Sequence, residues 1–363
     1  LNPYSYNKAL LHMDRLLELR DGKLPAPIHT HLIISDLCNQ NCSFCAYRID
    51  GYTEFFAIRN GSGKLVRNPN RMINYDTVIR ILEELKSAGV KAVQFTGGGE
   101  PTLHPDCAEF INRAHQLKLD TALVTNGWKL NKEIRSAILG STWIRISLDC
   151  ASPESYHQMR RAPERAFHEV LENIRALVDA RDKSGSDLTI GIGYVVNKDN
   201  WQEIIPGVKL ARSLGVDNIR LSAVFQPENA AYFVGFHYQA AALCKEAEWL
   251  STGEFKVINN FSDRMGELVQ GHPEYSRCPH QHFVPYIGAD LNLYCCCVLA
   301  YTRRGLIGSL KDQSFSELWW GEKRKDYLEA FDARECPRCQ FNDKNRNMNK
   351  LIESSKIMHG NFL

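Results

Sequence analysis

Between residues 29 and 225 the sequence alternates six times between a short apolar strand pattern and an amphipathic helix pattern. Strand patterns fall at 29–35, 91–96, 121–125, 143–148, 188–196 and 218–224. Helix patterns fall at 75–88, 106–117, 132–139, 164–181 and 201–214; in the first, Val78, Ile81, Leu82 and Leu85 share one face. Parallel strands need crossover helices, so this rhythm restricts the segment to a parallel α/β sheet. Six such units are expected to curl into a partial (βα)6 TIM-like barrel, with the active site at the C-terminal ends of its strands.

The rhythm stops near residue 225. Residues 226–277 read as an irregular, aromatic linker with one helix at 238–250, and cysteines return from Cys278 onward. The expected division is an N-terminal helix over 1–28, the barrel over 29–225, the linker over 226–277, a small α+β domain over 278–345 and a tail over 346–363. A length of 363 residues suits one large domain and one small. The net charge of +2 offers no broad electrostatic grip on nucleic acid or an anionic membrane. No run approaches the ~18 apolar residues of a membrane span, and the charged, amphipathic N-terminus is unlike a signal peptide. The cysteines are then expected in a reducing compartment, the cytoplasm, where metal binding or catalysis outranks disulfides.

Cys38, Cys42 and Cys45 follow the first strand, with three and then two residues between them. Three thiolates on one tight loop can hold three irons of a [4Fe-4S] cube and leave the fourth iron without a protein ligand; such clusters are normally held by four cysteines. The competing reading is zinc, which wants a fourth Cys or His close by, and residues 46–75 supply neither. One strand later comes Thr96-Gly97-Gly98-Gly99-Glu100-Pro101. Its glycines let the backbone approach a ligand, and Glu100 could hold a cation such as an α-ammonium. A plain strand-to-helix turn is the alternative.

Together, the cysteine triplet, the GGGEP segment and the six βα units resemble the radical S-adenosylmethionine (SAM) superfamily over residues 30–225. The resemblance implies an enzyme in which the methionyl end of SAM binds the vacant iron. One electron then cleaves the sulfonium, and a 5′-deoxyadenosyl radical abstracts a substrate hydrogen. It implies Cys38, Cys42 and Cys45 as cluster ligands, Phe44 as the ring packed on adenine, and Gly98, Gly99 and Glu100 as the segment holding the methionyl amino group. Ser147 and Asp149, ending the fourth strand, match polar contacts to ribose and methionine. Arg160 or Arg161 is placed to offer a cation to the cofactor carboxylate, or else lies on a solvated helix face. Asn126 either lines the pocket or only makes a turn.

Cys278, Cys296 and the pair Cys336 and Cys339 form a second constellation, preceded by an expected hairpin at 286–294. It resembles the "twitch" domain of radical SAM enzymes, with one auxiliary [4Fe-4S] cluster, or a truncated SPASM domain, which carries two. No cysteine follows Cys339, so a second auxiliary cluster lacks ligands. Cys295, Cys296 and Cys297 are consecutive, and an Asp-x-Asn-x-Tyr-x-Cys alignment favours Cys296. Four cysteines would equally suit zinc. Two [4Fe-4S] clusters and SAM are thus the expected cofactors, with a flavodoxin or ferredoxin as electron donor.

Cys107, Cys150 and Cys244 read as buried apolar residues, although Cys150, beside Asp149, could return a hydrogen atom to a substrate radical. That step would give epimerisation, whereas electron transfer to an auxiliary cluster would give oxidation or cross-linking. His280, His282, Tyr286 and Glu228 are candidate acid–base groups. Arg48, Arg59, Arg67 and Arg71, in the loop over 47–71, could contact an anionic substrate, or the loop could simply be solvated. Some 28 residues precede the first strand, too few for a peptide-recognition domain, so a small metabolite, sugar or nucleotide is expected. Peptide or nucleic acid substrates, and a non-catalytic iron–sulfur or zinc protein, are the competing readings.

Overall fold

The alternating patterns pair into one sheet. The computed structural model describes residues 5–49, 52–59, 62 and 65–353. In chain order the strands are β1 (His29–Leu32), β2 (Ile58–Arg59), β3 (Leu65–Val66), β4 (Ala92–Phe95), β5 (Asp120–Thr125), β6 (Trp143–Ser147), β7 (Thr189–Val196), β8 (Asn218–Ala223), β9 (Lys256–Asn259), β10 (Tyr286–Ile287), β11 (Asn292–Tyr294) and β12 (Leu306–Ser309). Apart from the β2–β3 ribbon, ten strands lie in the order β12-β11-β10-β1-β4-β5-β6-β7-β8-β9. The run from β10 and β1 through β9 is parallel, and β11 and β12 add an antiparallel flap. Among the described residues the sheet ends in two edges, β12 and β9, rather than closing, which makes it a partial barrel.

Period-two side-chain alternation separates the two faces. Val93, Phe95, Leu123, Ile144, Ile146, Ile190 and Ile192 are buried beneath the crossover helices. The helix Tyr75–Ser87 shows why those helices form. Asn74 caps it by accepting from the Thr77 N–H at 2.9 Å, and Val78, Ile81, Leu82 and Leu85 are buried along one stripe. The inner face is polar instead. Its register brings His31, Gln94, Ala122 and Trp143 into one row, Arg145, Gly191 and Asn218 into the next, and Ser147, Gly193 and Arg220 into the row nearest the C-terminal ends.

The structure departs from the sequence expectation in three places. Residues 226–277 are not a linker with one helix: β9 extends the parallel sheet beside β8, and helices His237–Ala247 and Phe261–Gln270 pack there. β9 is only four residues long and partly covered, too short for a clear apolar pattern. The helix Pro153–Arg160 was not anticipated, because its buried side includes a charged residue, Arg160, beside Tyr156 and Met159. The expected tail is helical as far as Ile352, in a helix beginning at Asn342. There Met348 packs with Leu16, from the N-terminal helix Met13–Arg20, and with Phe283. Residues 354–363 lie outside the described residues.

Candidate active site

The cysteine loop leaves the C-terminal end of β1 and is tied down on three sides. At its base, buried Asp36 accepts from Arg71 at 2.6 Å and from the Tyr301 hydroxyl at 2.6 Å. The Asn68 side chain brackets Cys38, accepting from its N–H at 2.9 Å and donating to its carbonyl at 2.8 Å. Further along, Asn41 and Ser43 donate backbone N–H groups to the carbonyls of Arg160 and Met159, docking the loop on the end of the helix Pro153–Arg160.

Each sulfur in this loop has a nitrogen donor beside it. Asn126 Nδ2 is 4.0 Å from Cys38 Sγ, Arg160 Nη1 is 3.5 Å from Cys42 Sγ, and Arg48 Nη1 is 3.9 Å from Cys45 Sγ. Donors aimed at sulfur favour the thiolate and help set the potential of a bound cluster. Without metal, burial pushes the Cys38 thiol up to about 11, so iron binding there must displace a proton.

Arg160 links this loop to β6. Its guanidinium donates to the Gln40 side chain at 3.3 Å, to the Ser147 carbonyl at 2.6 Å and to the Asp149 carboxylate, and it lies 5.6 Å from the Phe44 ring centroid. Ser152 caps the helix that carries it, in a reciprocal box with Ser155. Asn39 Nδ2 and Arg160 Nε are buried with no hydrogen-bond partner among the described residues, so the loop retains donors for a polar group.

Glu100 is 2% exposed, and its carboxylate is engaged within the protein. Oε1 accepts from Thr102 N at 3.0 Å, Thr102 Oγ1 at 2.7 Å and Thr125 Oγ1 at 2.6 Å; Oε2 accepts from Asn126 N at 2.7 Å. Burial pushes this carboxyl up against those four donors. The carboxylate thus fixes the end of β5 and places Asn126 beside Cys38. The glycines before it serve close packing: a Cβ on Gly99 would overlap the Leu37 carbonyl oxygen, next to Cys38.

These features lie within the part of the chain that matches known proteins. The profile of the Radical SAM superfamily covers residues 32–205. That segment of the chain is of the radical SAM superfamily. It is 26% identical over 192 residues to a probable GTP 3',8-cyclase of Saccharolobus islandicus, an alignment covering 52% of this chain and 54% of that protein. It is 30% identical over 169 residues to the GTP 3',8-cyclase of Aeromonas hydrophila, covering 46% of each. The chain thus spans about half the length of these curated relatives. SuiB of Streptococcus suis bound to S-adenosylmethionine has the same fold, with a TM-score of 0.61 at 16% identity over 89% of this chain and 73% of SuiB. So does anSMEcpe bound to AdoMet, with a TM-score of 0.58 at 14% identity over 92% of this chain and 100% of that one.

The second cysteine group surrounds a small cavity of about 20 Å³, lined by Cys278, Cys295, Cys296, Cys336 and Cys339 together with Tyr275 and Asn345. Cys339 accepts from the Phe341 N–H at 3.3 Å and from the Tyr275 hydroxyl at 3.6 Å. Of the consecutive trio, Cys297 turns to Gln340, whose Nε2 lies at 3.0 Å, and Cys295 is buried in the core. The Cys296 thiol is held below its ordinary value, first by the Cys295 thiol and then by the N–H groups of Leu299 and Val298. Among the described residues, no three Cys, His, Asp or Glu side chains converge closely enough to share one metal ion.

Several expected site residues stand elsewhere. Arg161 ends its helix in a left-handed conformation, φ 48°, and is exposed, so Arg160 alone of the pair faces the cysteine loop. Cys150 is fully buried in the hydrophobic core. Left-handed Asp149, φ 58°, breaks the strand before it, and Cys150 lies by Ser155 and Tyr194, on the helix-covered side rather than the inner face. It is not placed to donate a hydrogen atom inside the barrel. Arg48 and Arg71 brace the loop through the contacts above, and Arg67 Nη1 donates to the Arg48 carbonyl at 3.2 Å. His280 is stacked on Phe341 at 3.9 Å, and burial drives the His282 ring down to about 3. Tyr286 reaches the Tyr47 hydroxyl at 3.0 Å, while Glu228 is exposed. Asn39, Gln40 and Asn68 were not anticipated; the first two lie between Cys38 and Cys42, which is the only signal the sequence offers for them.

Proposed function

We propose that the chain is a radical SAM enzyme with two [4Fe-4S] clusters, acting on a small molecule and taking its first electron from a flavodoxin- or ferredoxin-like donor. Cys38, Cys42 and Cys45 would hold the first cluster. Cys278, Cys296, Cys336 and Cys339 would hold the second. When bound, the first cluster and SAM would supply an electron and a 5′-deoxyadenosyl radical for hydrogen abstraction.

The protein's part is orientation. The observation that carries this reading is Arg160, which reaches Cys42, the Ser147 carbonyl and Asp149 from one buried guanidinium. Its unpartnered Nε suits a carboxylate at the edge of the cysteine loop. Phe44 presents an apolar ring beside it, and Gly99 packs against the Leu37 carbonyl just before Cys38. Glu100 acts through Asn126, holding it by Cys38. With Cys150 in the core, oxidation or cross-linking, with the second cluster as electron acceptor, is favoured over epimerisation through that thiol.

Two structural neighbours are described with bound peptides, whereas the sequence relatives are named for GTP. The polar inner face favours the small-molecule reading. The test is anaerobic incubation of reconstituted protein with dithionite and SAM. Wild type should form 5′-deoxyadenosine, and Cys42→Ala should form none. No product from iron-loaded wild type under any reductant would sink the proposal.

A further inference from the structure

The helix Asn342–Ile352 opens with two asparagines one turn apart, and both Asn342 and Asn345 are fully buried. A buried amide needs partners for its oxygen and for its nitrogen. Asn345 Oδ1 accepts from the His280 backbone N–H at 2.9 Å, and Asn342 Nδ2 donates to the Cys339 carbonyl at 3.3 Å. A backbone N–H only donates and a carbonyl only accepts, so neither amide can exchange its ends. Asn345 therefore turns its Nδ2 to the Tyr275 hydroxyl oxygen, at 3.0 Å.

That leaves the Tyr275 hydroxyl one proton to give and two acceptors for it. Asn342 Oδ1 lies at 2.8 Å and Cys339 Sγ at 3.6 Å. A neutral thiol is the weaker acceptor, so with Cys339 protonated the O–H goes to Asn342. A negatively charged sulfur competes better, because charge-assisted hydrogen bonds are roughly twice as strong as neutral ones. The place of this proton thus follows the charge on Cys339. The network reaches a second expected ligand as well, since the Cys278 thiol lies 3.7 Å from Asn345 Oδ1. Donors stand by the other two: the Leu299 and Val298 N–H groups by Cys296, and Arg304 by Cys336. The buried Nε of Arg304 has no hydrogen-bond partner among the described residues. Donors gathered around four sulfurs suit a group that puts negative charge on them, as a [4Fe-4S] cluster does.

We propose that Tyr275 raises the reduction potential of the second cluster, through an O–H that turns from Asn342 to Cys339 as the sulfur gains charge. An added electron makes the ligand sulfurs more negative, and a donor that answers this charge stabilises the reduced state over the oxidised one. The assignment rests on the radical SAM reading with a second cluster, and deepens it. Tyr275 makes that cluster the better acceptor for the electron given up by a substrate radical.

A redox titration followed by electron paramagnetic resonance tests this in the reconstituted variant Cys38→Ala, Cys42→Ala, Cys45→Ala, which keeps the second cluster alone. Adding Tyr275→Phe should lower the midpoint potential by about 59 mV, a tenfold shift in the reduced-to-oxidised ratio for one electron. Adding Asn342→Leu instead removes the competing acceptor and should leave the potential at or above that of the parent. In D2O, electron–nuclear double resonance of the reduced cluster should show one coupled exchangeable hydrogen fewer in Tyr275→Phe, a change that lost packing alone would not produce. Thermal melts should show both variants folded. An unchanged potential in Tyr275→Phe, or any fall in Asn342→Leu, would overturn the assignment. If about four irons per chain are present in that case, the second cluster stands and only the role of Tyr275 falls. A parent variant that takes up no iron removes both.

Discussion

Arg160 stands where the cysteine loop, β6 and the helix Pro153–Arg160 meet, and its position makes it the most sensitive single residue. Replacing it with Ala would leave Asp149 buried without its partner, a change expected to cost about 3 kcal/mol. Arg160→Lys should restore much of that stability but not the two-sided hydrogen bonding, so SAM affinity should stay low. Denaturant melts and SAM titrations on the same two variants separate the effects. Glu267 gives a second prediction at this scale. Burial raises its carboxyl to about 7, with Arg264 opposing. Folding therefore favours the protonated form, and the penalty for burying the charge is absent below the ordinary carboxylate range, growing as pH rises toward 7. Glu267→Gln lacks that penalty. Its melting temperature relative to wild type should rise between pH 5 and pH 8; a constant difference would contradict the assignment. The sequence marked the cysteines because their spacing is itself the signal. It could not separate Arg160 from Arg161, since that choice depends on where an unpredicted helix ends.

The helix Pro153–Arg160 is short and ends on the residue that matters. Ser152→Ala removes its capping box and should cost about 1 kcal/mol. The cap sits at the end of the helix away from the cysteine loop, so its effect on the site is read through Arg160 at the other end. SAM affinity should drop together with stability. A loss of stability with unchanged affinity would show that Asp149 holds the far end of the helix independently. Gly99→Ala should be worse than a surface substitution, since its Cβ has backbone in its way; the expected outcome is poor cluster incorporation at a measurable loss of melting temperature. At this scale the long apolar strands and amphipathic helices up to residue 225 were legible, because one face of each is buried against hydrocarbon. β9 and the helix Pro153–Arg160 were not, because both are short and their covered positions include polar groups.

Across the whole molecule, the two cysteine groups belong to one sheet. β10 pairs in parallel with β1, opposite His31, so the C-terminal segment covers an edge that the barrel would otherwise expose. Asp36, at the base of the first cysteine loop, is held by Tyr301 from the second half. Truncation after residue 272 should therefore give aggregated protein rather than an independent barrel, because β1 would present an unpaired edge. Size-exclusion chromatography of the truncated chain checks this; a soluble monomer would show that the barrel stands alone. Recognising from sequence that residues from 278 onward form a separate cysteine-bearing segment was possible; that they complete the barrel sheet was not, since a two-residue strand carries no periodic signal.

The most direct measurement is the metal content of anaerobically reconstituted wild type beside the triple variant Cys38→Ala, Cys42→Ala, Cys45→Ala. Two clusters predict about eight irons per chain in wild type and about four in the variant, each [4Fe-4S] cluster contributing four. A variant that retains the wild-type iron content, or a wild type that takes up zinc instead of iron at the loop, would contradict the assignment of Cys38, Cys42 and Cys45 as cluster ligands.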